Sequence, residues 1–181
     1  MNVFFHSSAP ALTERTFAEL IAQQQRPLLS LALRFVGNLE EAKDLAQTAF
    51  IKLWEQRHRL HAERSVHAYL RRILVNLCID HLRRKGAQQQ TVELKESSLP
   101  ASNYDPQRQL EREEVQTRLR QCLELLAPKQ KAVLLLRDVE GYSVAETAEM
   151  LACSQNTVLV NLHLARKKIK EKMRQWLEAQ E

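Results

Sequence analysis

Three glycines, Gly37, Gly86 and Gly141, are all that this chain of 181 residues contains. Sandwiches and barrels need many tight turns with residues at positive φ, so such scarcity argues against an all-β fold. It also argues against glycine-rich phosphate loops, and no G-x-G-x-x-G or Walker run is present. Each glycine follows a stretch of helical period, where a left-handed residue commonly closes a helix. The chain therefore reads as helices separated by punctuation.

The first helix is expected from about Thr13 to Val36, with Phe17, Leu20, Ile21, Leu28, Leu31, Ala32 and Phe35 on one stripe. Pro27 should kink or divide it. Asn38 caps a second helix, Leu39 to Gln56, with Glu41 completing an asparagine variant of the capping box. A basic loop, Arg57 to Arg64, precedes a third helix that Ser65 can cap. That helix carries Val66, Tyr69, Leu70, Ile73, Leu74, Leu77 and Leu82 and ends in Arg83, Arg84, Lys85 and Gly86.

From Ala87 to Pro106 the composition turns polar and aperiodic, as in a flexible linker. Residues 1–86 hold 13 basic and 8 acidic side chains, 87–118 hold 4 and 6, and 119–181 hold 10 and 8, which sums to the net +5. The basic excess thus lies in two lobes. A helix over Gln107–Leu126 is expected in the second lobe. Pro128 starts another, which stops near Gly141. Ser143 and Glu146 form a capping box for a short helix. Ala152 and Cys153 make a turn, and Ser154 caps a long helix with Val158, Leu162, Ala165, Ile169 and Met173 inside. A short helix, a tight turn and a longer helix form a helix-turn-helix signature. The expected fold is all-α: helical domains at 1–86 and 107–181 joined by a polar linker at 87–106.

Cys78, Cys122 and Cys153 are widely spaced and read as reduced core thiols. His58, His61 and His67 lack the spacing or carboxylate partners of a metal site, and no nucleophile–base pair or cofactor cradle can be assembled. Neither a metal, a cofactor nor an enzymatic activity is therefore expected. No apolar run reaches the roughly twenty residues of a membrane span, and the N-terminus lacks a signal pattern, so a cytoplasmic protein is expected. Two basic lobes with a helix-turn-helix point to nucleic acid.

Asp44 to Glu55 reads D-L-A-Q-T-A-F-I-K-L-W-E. It resembles the polymerase-binding helix of bacterial RNA polymerase sigma factors. Residues 68–85, A-Y-L-R-R-I-L-V-N-L-C-I-D-H-L-R-R-K, resemble the helix that reads and melts the minus-ten element. Residues 126–151 are similar to the first part of the minus-thirty-five reading domain. The three motifs stand in family order, and the short length points to the extracytoplasmic-function group. The resemblance implies that Asp44, Gln47, Thr48, Phe50, Lys52 and Trp54 meet core RNA polymerase, although a Glu is usual where Thr48 stands. It implies that Leu60 and Arg64 in the loop, and Tyr69, Arg71, Arg72, Asn76, Asp80, Arg83, Arg84 and Lys85 on the helix, meet the minus-ten strand. Cations neutralise phosphates there, and flat or apolar side chains take unstacked bases. Tyr69 has a second reading as a core aromatic. An anti-sigma factor is implied as a further partner.

The family usually continues G-T-V-K-S-R-L-x-R-A-R where this chain has N-T-V-L-V-N-L-H-L-A-R, Asn156 to Arg166. Leu159, Val160, Asn161 and Leu164 replace residues that normally face DNA. A leucine neither neutralises a phosphate nor pairs with guanine. Promoter reading at minus thirty-five would then fall to Gln155, Asn156, Thr157, Asn161 and His163, with Arg166, Lys167, Lys168 and Lys170 on phosphates. Val160 and Leu164 leave an apolar stripe fit for thymine methyls, for a protein partner, or for the chain's own segment around Trp176. A sigma-like decoy that binds an anti-sigma factor without activating promoters is the competing reading.

Overall fold

The computed structural model describes residues 12–58, 66–88 and 117–178. Among the described residues there is helix and no strand. In chain order these are α1 (Glu14–Val36), α2 (Leu39–Glu55), α3 (Val66–Gln88), α4 (117–124), α5 (Pro128–Leu134) widening into a π-helical turn (Leu135–Val139), α6 (Val144–Met150) and α7 (Gln155–Glu178). Residues 89–106 of the expected linker, the start of the 107–126 helix, the Ser65 cap and the loop with Leu60, His61 and Arg64 lie outside the described residues.

Helices α1, α2 and α3 pack on one another as the first lobe. Thr13 and Thr16 cap α1 reciprocally, each hydroxyl accepting the other's backbone N–H at 3.3 and 2.9 Å. Gly37 closes α1 at φ +74, donating to the Leu33 carbonyl at 2.8 Å. Asn38 then accepts the N–H groups of Glu40 and Glu41 at 2.9 and 3.1 Å. The chain reverses within two residues, because one left-handed position and one cap satisfy both helix ends.

Three local expectations need correction. First, α1 is not divided at Pro27 but continues through it as one helix. A mid-helix proline costs about 3 kcal/mol. Leu20 before it and Leu28, Leu31 and Phe35 after it are all buried, each contributing about 1.5–3 kcal/mol. Packing on both sides therefore outweighs the break. Second, α3 continues past Gly86 to Gln88. Glycine in a helix costs only about 1 kcal/mol, and Lys85 is anchored to Glu41 on α2 at 3.0 Å. Third, Glu41 does not close the capping box; its carboxylate turns to His81 (3.0 Å) and Lys85 on α3.

The second lobe has its own small core of Leu126, Val133, Leu134, Ala148, Val158, Leu162 and Ala165. Met173, expected on the inner stripe, is 52% exposed, beyond the reach of this core. The Ser143–Glu146 capping box forms as expected, at 2.7 and 3.2 Å. Ser154 accepts the Thr157 N–H at 3.1 Å and starts α7. Ala152, between α6 and α7, lies at φ +47, where glycine would be unstrained.

Helix α5 is buried on two sides. Ala132, Leu135 and Leu136, with Met150 of α6, belong to the same apolar cluster as the core of α1–α3, while Val133 and Leu134 face the second lobe. The run Ala132 to Leu136, apolar on both sides, thus lies between the two clusters.

Candidate polymerase and promoter interface

On α2, Leu45, Ala46, Ala49 and Leu53 are buried, which turns Asp44, Gln47 and Lys52 outward. Thr48 is half-buried and donates its hydroxyl to the Asp44 carbonyl at 2.7 Å. Phe50 and Trp54 are half-buried, with Phe17 of α1 against both rings, at 6.4 and 4.8 Å between centroids. Arg57 lies over the outer side of Trp54 at 4.2 Å. Phe50 and Trp54 therefore shape the edge of this face more than they project from it. Ile51, one turn from Gln47, is 57% exposed and escaped the sequence reading. An apolar side chain at an outer position of the helical period was its only signal.

On α3, Leu70, Leu74, Val75 and Cys78 are fully buried. Burial pushes the Cys78 thiol up to about 12, so it stays protonated, a core thiol. Asn76, Asp80, Arg83 and Arg84 are exposed on the opposite side. Asp80 accepts from Arg83 at 3.4 Å, leaving Arg83 half exposed. Arg72 is half-buried. Three expected contacts are committed elsewhere. Tyr69 packs against the core cluster and donates its hydroxyl to Gln56, which restricts its ring as a stacking platform. Lys85 pairs with Glu41. Arg71 donates to the Tyr142 hydroxyl at 2.7 Å and stands 3.9 Å from Glu140. Sequence spacing places these side chains on a helix but not opposite a neighbour.

On α7, Val158, Leu162 and Ala165 are buried, while Gln155, Asn156, His163 and Lys167 are exposed. Thr157 is half-buried beside its Ser154 cap. Asn161 bonds back to the Thr157 carbonyl at 2.8 Å. Leu159, Val160 and Leu164 are 51%, 48% and 40% exposed. The stripe is thus not covered by the segment around Trp176, which lies about three to five turns further along the same helix. Arg166 donates both arms of its guanidinium to Asp138 at 3.0 and 2.6 Å, so a phosphate would have to compete for it. Among the described residues no group of three His, Cys, Asp or Glu side chains could hold a metal ion. No described helix is long and apolar enough to cross a membrane.

Two sigma-70 family models match the chain in order: region 2 over residues 20–88 and region 4 over residues 116–169. The RNA polymerase sigma-E factor of Streptomyces coelicolor is 32% identical over 157 residues, covering 87% of this chain and 85% of that protein. The chain belongs to the extracytoplasmic-function group of RNA polymerase sigma factors. The group's SigW of Bacillus subtilis is 26% identical over 169 residues, covering 87% of this chain and 89% of the relative. The fold matches that of the sigma factor RpoE of Bartonella quintana, solved with the anti-sigma factor NepR, at TM-score 0.69. That match covers 88% of this sigma factor and 98% of RpoE at 19% identity. A sigma factor acts in transcription initiation. Helices α2 and α3 lie within matched region 2, and α5 to the first half of α7 within region 4.

Proposed function

We propose that this sigma factor docks on core RNA polymerase through α2, opens the minus-ten element on α3 and reaches the minus-thirty-five element with α7. Residues 1–86 form the polymerase and minus-ten domain in this reading, and 107–181 the helix-turn-helix domain. What carries it is the ordered pair of sigma regions combined with the outer faces of their helices. On α2, Asp44, Gln47 and Lys52 supply hydrogen bonds and charge to the polymerase, and Ile51 adds apolar area. On α3, Asn76 and Asp80 meet unstacked bases while Arg83 and Arg84 neutralise phosphates. Arg72 borders this face, and Leu60 and Arg64 belong to it by the family pattern alone.

At minus thirty-five the reading is weakened. Phosphate anchoring leans on the exposed Lys167, Lys168 and Lys170, since Arg166 is tied to Asp138. Gln155, Asn156 and His163 are the polar side chains left to meet base edges. The anti-sigma factor that accompanies the RpoE relative supports a partner of the same kind here. The setting is the cytoplasm, where transcription takes place.

Run-off transcription with purified core polymerase tests the whole reading. Promoter-specific transcripts are expected, and Asp44→Ala with Gln47→Ala should abolish them together with co-elution of sigma and core. Co-elution without any promoter-specific transcript would replace the reading with a decoy that titrates an anti-sigma factor.

A further inference from the structure

The first three turns of α7 lack what a duplex-reading helix most often uses. From Gln155 to Ala165 there is no Arg or Lys. The commonest specific base contact, a cation on guanine O6 and N7, is therefore missing from the part of a recognition helix that enters the major groove. The polar side chains fill that gap only in part. Asn161 spends its amide on the Thr157 carbonyl at 2.8 Å, and both residues line a cleft shared with Asn76 and Asp80 of α3. Gln155, Asn156 and His163 remain exposed.

What the outer face does present is aliphatic carbon. Leu159 is 51%, Val160 48% and Leu164 40% exposed. Helical spacing interleaves these residues with the polar ones. Asn156, Leu159, Val160 and His163 follow the i, i+3, i+4, i+7 pattern of one face, and so do Val160, His163, Leu164 and Lys167. The aliphatic groups thus stand within the polar face and not beside it. Lys167, Lys168 and Lys170, exposed on the next turns, continue α7 as a cationic end suited to phosphates. Three half-exposed aliphatic side chains make a small patch beside the roughly 800 Å² that each partner contributes to a standard protein interface. The size of the patch, the interleaved amides and the adjoining cations fit one occupant, the major groove of a duplex.

The two kinds of side chain are the complements of one base pair. A carboxamide pairs with adenine N6 and N7, and an aliphatic side chain touches the thymine C5-methyl, the apolar group that the major groove displays. We infer that Leu159, Val160 and Leu164 are specificity-determining residues that read thymine methyls, so that α7 selects a run of A·T pairs, with Gln155 and Asn156 on the adenines. The inference rests on the assignment of α7 to the minus-thirty-five element and names the chemistry that this element would carry. A thymine methyl and a leucine each release water when they meet, whereas a base without the methyl leaves the leucine facing a gap.

The test uses holoenzyme assembled from the full chain and core polymerase. Random-sequence duplexes long enough to span both promoter elements are selected on it, re-amplified with a mixture of dTTP and dUTP, and selected once more. Cleavage at uracil then reports, thymine by thymine, where loss of a single methyl excludes a duplex from the bound pool. The selected duplexes should share an A·T run upstream of the melted stretch, with uracil depleted there about three- to fivefold per contacted methyl. Leu159→Ala with Val160→Ala and Leu164→Ala should abolish that depletion, with helix content by circular dichroism and co-elution with core unchanged. The readout is a ratio of uracil to thymine, so a general change in affinity cancels. Uracil tolerated at every upstream thymine overturns the methyl reading; if Lys167→Ala with Lys168→Ala still weakens upstream binding, the assignment of α7 to DNA survives that result. If the lysine pair has no effect either, the assignment itself fails. Depletion that persists in the triple variant overturns the role of these three residues. A triple variant that no longer co-elutes with core gives the stripe to a protein contact and overturns the proposal as well.

Discussion

Helices α3 and α7 are nearly equal in length, 23 and 24 residues, and each buries one side in its own lobe. Their outer sides differ. On α3 the exposed side is Asn76, Asp80, Arg83 and Arg84, a mixture suited to bases and phosphates. On α7 the first three turns expose Leu159, Val160 and Leu164 beside Gln155, Asn156 and His163, and the cations gather only from Arg166 onward. The same helical scaffold therefore carries a polar outer face in one lobe and a largely apolar one in the other. Promoter affinity should depend mostly on α3, with α7 contributing position more than charge.

Removing the α3 cations is the strongest way to break this contrast. Arg83→Ala with Arg84→Ala should lower promoter opening at least tenfold, read as permanganate reactivity of the melted strand, with holoenzyme formation unchanged. An equal loss from Lys167→Ala with Lys168→Ala would show that the lobes contribute alike. Restoring polarity on α7 sharpens the contrast from the other side. Val160→Ser with Leu164→Arg should tighten upstream duplex binding several-fold and steepen the salt dependence by about one unit. Unchanged affinity and slope would mean that this face never meets DNA. A smaller effect of the same sign is expected from Asp138→Asn, which leaves Arg166 free for a phosphate.

Lys131 has its own pH signature. Burial lowers it to about 8 against an ordinary 10.5, partly offset by the Glu124 carboxylate and Cys78, while Lys85 adds to the lowering. The folded protein releases this proton near 8 and the unfolded chain only near 10.5, so the unfolded chain binds more protons in between. Folding is therefore favoured as pH rises through 8, and below 8 this group adds no dependence. Cys78 acts in the opposite sense above 9, because its thiol is held up to about 12 by burial. The clean window is thus pH 8 to 9. The midpoint of thermal unfolding should rise across that window relative to Lys131→Met, which lacks this contribution. An equal response in the Lys131→Met protein would assign the effect to another group.

The smallest expected effect is local. Ala152→Gly relieves a left-handed alanine at φ +47. It should stabilise the second lobe by up to about 1 kcal/mol, a rise of about 4–8 °C in the midpoint of its thermal unfolding. A fall would show that the turn is held by contacts of the Ala152 methyl.

Much of this molecule was legible before any coordinates. Period and cap chemistry place α1, α2, α6 and α7 to within a residue or two, since Thr13, Gly37, Asn38, Ser143 and Ser154 act on their own neighbours. The buried sides of α2 and α7 follow from the same local rule, Met173 aside. Helix-stop signals proved weaker where distant anchoring opposed them, as at Pro27, held by leucines on both sides, and Gly86, held by the Glu41–Lys85 pair. The candidate sites were legible as faces but not as free surfaces. Tyr69, Arg71, Lys85 and Arg166 were counted as DNA contacts by position, yet Gln56, Tyr142, Glu41 and Asp138 hold them. Those partners lie 13, 71, 44 and 28 residues away in the chain. A helical period reports which side of a helix turns outward, because that depends on neighbours three and four positions away. It carries no record of what stands opposite, and that was settled only when α5, apolar on both sides, brought the two lobes together.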